Sequence, residues 1–136
     1  MFTNEEGGET ARKAVLQHEK GREVIFIHPN SLSEAYNVIS RIRKERPQLL
    51  ARDVDPELVV RSAYATLNVL QDERTTINLG TLKAKYRNVP WGDLSSAALA
   101  MRLSDVDKVP VITLERDRHF KEISEVQSVT ISNLHA

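Results

Sequence analysis

The sequence predicts an α/β fold in which a mostly parallel sheet lies between helix layers. Three observations carry that expectation. Val24–His28 (VIFIH) and Val109–Thr113 (VPVIT) are short apolar runs rich in β-branched residues, as suits strands buried on both faces. Stretches with apolar residues at helical spacing separate them, and buried strands alternating with helices imply parallel pairing. Acidic residues follow strand ends or open helices, the address at which open α/β sheets bind ligands.

Taken in order, Met1–Gly8 is polar and turn-rich. Glu9–Lys20 reads as a helix with Ala11, Ala14, Val15 and His18 inward, ended by Gly21 at the C′ position. After the strand Val24–His28, Pro29–Asn30 breaks the chain. Ser31 and Glu34 then match a capping box, followed by the inward stripe Leu32, Ala35, Val38, Ile39, Ile42. Pro47 closes that helix. Asp55–Pro56 opens the next, with Leu58, Val59, Ala63, Leu67 and Leu70 on its apolar face. Thr75–Leu79 (TTINL) reads as a short strand and Thr81–Arg87 as a short basic helix. Asp93, after Trp91–Gly92, sits where an N-cap would, ahead of a helix with Leu94, Ala97, Ala98, Met101 and Leu103 inward. Beyond Val109–Thr113, Lys121–Val126 is a turn or short helix. Ser128–Ser132 is a last strand, and 133–136 a loose tail. Residues 1–132 form one expected domain, with no repeat, low-complexity tract or dividing linker.

The totals narrow the function. The chain has 136 residues, 40% apolar and 28% charged, enough for a core. Lys+Arg and Asp+Glu are both 19, so no global charge draws a polyanion; a local patch or a bound cation would have to. Cysteine is absent, which excludes disulfides, thiolate metal sites and a Cys nucleophile. No apolar run approaches a membrane span and no signal-peptide pattern opens the chain, so a cytoplasmic protein is expected. Glycine-rich phosphate loops, G-x-S-x-G elbows and H-E-x-x-H pairs are missing. Without a glycine-rich first turn, a doubly wound domain for a phosphorylated small molecule has little support.

Glu34, Asp93 and the pair Glu115/Asp117 share one topological address. Carboxylates gathered there would repel one another unless a hard cation such as Mg²⁺ or Mn²⁺ lay between them. Each residue also has an ordinary reading: Glu34 as capping-box partner, Asp93 as N-cap, Glu115 and Asp117 as surface charges. The basic clusters Arg41–Arg46, Lys83–Arg87 and Arg116–Lys121 are ordinarily solvated faces. If the acids converge, Lys83, Lys85, Arg87, Arg116 and Arg118 flank the same rim and are candidates for gripping an RNA backbone. His119 reads as structural or exposed, and Phe120 as core.

Three stretches together resemble a family. IHPNSLSEAYNVI (27–39), LGTLKAKYRNVPWGDLSSAALAMRL (79–103) and VPVITLERDRHFKEI (109–123) are similar to the PIN-domain ribonucleases, closest to the VapC-type toxins of toxin–antitoxin pairs. The opening FTNEEGGETARKAVLQ resembles the stretch after that group's first strand, so the likeness covers about residues 2–123. It implies a PIN-like α/β/α sandwich, with acids that hold Mg²⁺ or Mn²⁺ and hydrolyse RNA such as tRNA. The family's helix-opening glutamate falls on Glu34, and its D-x-x-x-A-x-A-type aspartate on Asp93. The next acid is Glu115 by spacing from Thr113 or Asp117 by spacing back from Phe120, with Asp117 preferred. Thr113 and Asn30 are candidates for orienting ligands or water. A cognate antitoxin and a homodimer are the implied partners. The chain departs from the family in that the first central strand and its Asp are missing, and Glu5 and Glu6 match the following loop instead. A start placed too late, an inactive copy, or a strand supplied from elsewhere would each explain this. The rival expectation is a PIN scaffold that binds antitoxin or RNA without cleaving.

Overall fold

The structure is a computed structural model that describes residues 8–22, 24–50, 54–107, 111–113, 118–127 and 130–133. It is a mostly helical α/β arrangement with short parallel strand pairs, and the chain falls into two compact units, Met1–Val69 and Leu70–Ala136.

The first unit begins with α1 (Gly8–Glu19). Its end is a Schellman motif: Arg22 N–H donates to the Gln17 carbonyl (2.9 Å) and Gly21 N–H to His18 (3.0 Å). Gly21 takes φ +72°, which a Cβ would make costly. Val15, expected inward, is exposed. The strand β1 is only Phe26–Ile27, shorter than the expected Val24–His28 and half-buried. It pairs in parallel with β2 (Asn68–Val69), an element absent from the sequence reading, in the register Phe26↔Asn68 and Ile27↔Val69.

Between these strands run α2 (Pro29–Glu45), a 3₁₀ turn (Pro47–Leu49) and α3 (Pro56–Thr66). Helix α2 opens two residues before the expected cap. His28 is its N-cap, accepting the Asn30 N–H on Nδ1 (3.0 Å), with Pro29 in the first turn. Ser31 is therefore already helical, and the Ser31–Glu34 capping box does not exist. Leu32 and Ile39, two turns apart, are its buried residues, and α2 packs against α3. Asp55 caps α3 as expected, accepting the Glu57 N–H at 2.9 Å. Only part of the expected α3 stripe is inward: Ala63 is buried, Leu58 is 60% exposed, and Leu67 and Leu70 lie past the helix end.

The second unit opens with α4 (Glu73–Lys85), which overturns both the expected strand Thr75–Leu79 and the separate helix Thr81–Arg87. Its buried residues Thr75, Asn78, Leu79 and Leu82 recur at i, i+3, i+4 and i+7, a helical stripe. Two of the four are polar, so the stripe does not look apolar in sequence. Asp72 caps α4, accepting the Thr75 N–H (2.9 Å) and hydroxyl (2.8 Å) on Oδ1. Helix α5 (Trp91–Val106) packs along α4, and Asn78 Nδ2 donates across to the Ala98 carbonyl at 3.4 Å. Pro90 is the N-cap residue of α5, so Asp93 is its third residue and not its cap. The core gathers Leu79, Leu82, Val89, Leu94, Ala97 and Ala98 with Phe120 from α6 (Arg118–Lys121), Val126 from α7 (Ser124–Gln127) and Ile123 between those two helices. Phe120 is core, as expected. The strand β3 (Val111–Thr113) pairs in parallel with β4 (Thr130–Asn133), with a register shift between Val111 and Ile112. The end of β4 takes in Asn133, expected in the tail.

Candidate active site

Asp93 stands on the opening turn of α5 and is only 7% exposed. Burial of a carboxylate is unfavourable unless dipoles or partners offset it, and the free N–H groups and macrodipole of a helix N-terminus do so. The turn that carries Asp93 is held from both sides. Leu94, next to it, is fully buried, and Leu94 N–H donates to the Pro90 carbonyl at 3.2 Å. Ser95 Oγ donates to the Trp91 carbonyl at 2.7 Å. The connection from α4 is fixed by Lys83, whose Nζ donates to the carbonyls of Arg87 (3.1 Å) and Val89 (2.8 Å).

Glu34 lies in the first unit, on the exposed side of α2 in its second turn. Because α2 starts at Pro29, Glu34 does not have the capping-box duty that is its ordinary reading. Asn30 is in the first turn of α2, where its N–H meets His28. Burial pushes the His28 imidazole below its ordinary 6.5, so the neutral ring serves as cap. Glu115, Arg116 and Asp117 lie outside the described residues, as do the side chains of Thr113 and Arg118. Among the described residues no group of three Asp, Glu, His or Cys side chains gathers to hold a metal ion.

The basic residues near Asp93 in sequence are more engaged than solvated charges would be. Lys85 Nζ pairs with Glu125 Oε2 at 3.1 Å, while Tyr86 OH donates to Oε1 at 2.6 Å. Burial opposes ionisation of Glu125. Hydrogen bonds from Tyr86, the backbone, Lys85 and Ser124 outweigh it and hold the carboxyl at about 2. The Lys85 ammonium is correspondingly raised by Glu125 and Tyr86. Lys85 and Tyr86 thus fasten the end of α4 to α7. Arg87 is exposed. His119 is half-buried beside Glu122, at 3.6 Å. Sequence reasoning missed His28 and Trp91. The pattern His-Pro-x-Ser signals the first, since Pro favours the opening helical position. The second is signalled by a lone Trp two residues before a helix-opening acid.

The second unit thus presents a nearly buried carboxylate on the first turn of a helix rich in small residues. The chain belongs to the PIN domain family, whose model matches residues 1–126. PIN domains are in general divalent-metal-dependent nucleases with RNA as ligand. No curated protein and no solved structure gives a significant match. The candidate donors Glu34, Asp93, Glu115 and Asp117 offer carboxylate oxygens, the ligand type that Mg²⁺ and Mn²⁺ prefer. No helix among the described residues is long and apolar enough to cross a membrane.

Proposed function

We propose that the chain is a cytoplasmic, metal-dependent endoribonuclease of the VapC type, the toxin of a toxin–antitoxin pair, working as one domain over residues 1–132. The observation that carries the reading is Asp93: a carboxylate kept nearly buried on an anchored helical turn, inside the stretch that matches the PIN family. The capping box does not account for Glu34, because α2 starts at Pro29.

In this reading Glu34, Asp93 and Asp117 or Glu115 hold Mg²⁺ or Mn²⁺ within a PIN-like α/β/α sandwich. The bound ion supplies polarisation of the scissile phosphate and a bound water of lowered pKa. Asp93 contributes rigidity, because its turn is fixed through Ser95 and Leu94 and a ligand that does not wander needs no reordering on binding. Lys83, Lys85, Arg87, Arg116 and Arg118 contribute positive charge along the strand. Lys83 and Lys85 do so from fixed positions, since each is already tied to its neighbours. The substrate is RNA, with tRNA as first candidate. A cognate antitoxin would lay a basic side chain toward the acids, and the toxin would work as a homodimer.

The test is Mn²⁺-dependent cleavage of a mixed tRNA pool by the chain and by Asp93→Asn. Cleavage that disappears in the variant supports the reading. Cleavage of equal rate in both removes Asp93 from the site. RNA or antitoxin binding with no cleavage by either protein assigns the chain to the non-catalytic scaffold instead.

A further inference from the structure

Trp91 is the only tryptophan in the chain, and 53% of its surface is exposed at the first position of α5. The ring is not loosely attached. Lys83 Nζ lies 5.1 Å from its centroid, and that ammonium is itself fixed by the carbonyls of Arg87 and Val89. Val89 is in the core, so the cation that sits against the ring is anchored to the best-packed part of the second unit. The Trp91 backbone is fixed in turn by Ser95. Asp93 follows two residues later on the same turn.

The surroundings select the partner. Lys83 brings positive charge to the ring, Arg87 is exposed four residues before it in the chain, and Glu125 is occupied by Lys85 and Tyr86. Val106, the other exposed apolar side chain of α5, is about 22 Å away from Trp91 along the helix, and Ile77 lies about 9 Å back from Lys83 along α4. An exposed aromatic ring with a lysine ammonium against it combines the stacking face and the backbone-neutralising charge with which proteins bind single-stranded nucleic acid.

We propose that Trp91 is a stacking platform for one base of single-stranded RNA, with Lys83 and Arg87 on the adjoining phosphates, so that the strand is held beside Asp93. The proposal rests on the nuclease reading and adds to it the residue that seats the substrate. Stacking on a π-face accepts every base, so this contact is tolerant of sequence and works without metal.

Because the chain has one tryptophan, its emission reports on this position alone. The experiment titrates a short labelled oligouridine into the full chain in EDTA at low salt, reading tryptophan emission and RNA anisotropy together. The expected result is quenching that saturates with the same Kd as the anisotropy. Trp91→Leu should bind about tenfold more weakly, with an unchanged melting curve. Trp91→Phe, which keeps a π-face, should recover part of the affinity. RNA binding with no change in emission, and equal affinity in Trp91→Leu, overturns the platform and leaves the nuclease reading standing. Absence of RNA binding by the native chain overturns both. Emission that shifts with protein concentration and ignores RNA assigns Trp91 to a protein interface and overturns the proposal.

Discussion

His18 Nδ1 accepts the Ile25 N–H at 3.1 Å while its Nε2 hydrogen bonds the Thr66 carbonyl, so one imidazole stands in for a missing rung of the β1–β2 ladder. The register explains why. Asn68 N–H donates to the Ile25 carbonyl, and in a parallel pair the next step back would join Ile25 N–H to Thr66 C=O. Thr66 is instead the last residue of α3, and the ring fills the gap. A Nδ1 that accepts fixes the neutral tautomer with its proton on Nε2. His18→Ala should therefore leave both backbone groups without this partner and cost about 1–2 kcal/mol in urea unfolding. His18→Gln, with one donor and one acceptor on its amide, should recover part of that. Equal stability of all three proteins would show that water replaces the ring without cost.

Gly21→Ala tests the end of α1. No heavy atom lies within 4 Å of an added Cβ, so any cost comes from the backbone at φ +72° and not from crowding. The expected loss is about 1 kcal/mol. Gly21→Asn, which tolerates the left-handed region, should lose less. The same urea titration reads both.

Acid should act through two carboxyls in the second unit. Asp72 falls from its ordinary 3.8 to about 2 through the Thr75 N–H, the Thr75 hydroxyl and the Arg102 guanidinium, whose Nε is 2.6 Å from Oδ2. Glu125 falls from 4.5 to about 2. Both folded values are depressed, so the unfolded chain binds more protons as pH falls. Stability from these groups is complete above about 4.5 and is lost as pH drops towards 2. Melting temperatures between pH 5 and 2 should fall steeply for the native chain and less steeply for Asp72→Asn or Glu125→Gln. A variant slope equal to the native one would remove that carboxyl from the account.

His28 gives the opposite end of the pH scale. Burial lowers its pKa, so unfolding takes up a proton below 6.5 and the stability it contributes is present above 6.5 and is lost as pH falls below that value. His28→Asn retains an N-cap acceptor and removes the titration. The pH dependence of stability between 7 and 5 should flatten in this variant. If it does not, His28 is titrating as it would in the unfolded chain.

Much of this fold was legible because its signals are local. Gly21, the Asp55–Pro56 start, the Leu32–Ile39 spacing and the apolar Phe120 each declare themselves within a few residues. The misreadings have physical causes. Thr75 and Asn78 are buried because Asp72 and the Ala98 carbonyl satisfy their polar atoms, so a helix stripe looked like a β-prone run. The two-residue β2 lies inside Leu67–Leu70, which has the apolar content of a helix tail. Both helix starts near candidate acids were misplaced by Pro29 and Pro90, which moved the caps to His28 and Pro90. That displacement removes the capping-box role of Glu34 and sets Asp93 inside the first turn of α5 and not at its cap. Local sequence could not choose between Glu115 and Asp117, because two spacings disagreed and both residues are surface-compatible.

Metal binding can make that choice. A ligand that binds only the folded chain stabilises it by RT ln(1 + [L]/Kd), about 2.7 kcal/mol at one hundred times Kd, or roughly 9 °C for a chain of this length. Mn²⁺ should therefore raise the melting temperature of the native protein. Glu34→Gln and Asp93→Asn keep the side-chain volume and remove a charged oxygen ligand, so each should lose most of the rise. Of Glu115→Gln and Asp117→Asn, the one that loses it identifies the third acid, and the one that melts like the native chain in Mn²⁺ is the bystander. The readout requires no RNA, so it separates metal binding from cleavage. A native chain whose melting temperature ignores Mn²⁺ up to millimolar concentration would leave the acids without a cation, and the scaffold that binds without cleaving would then be the better account.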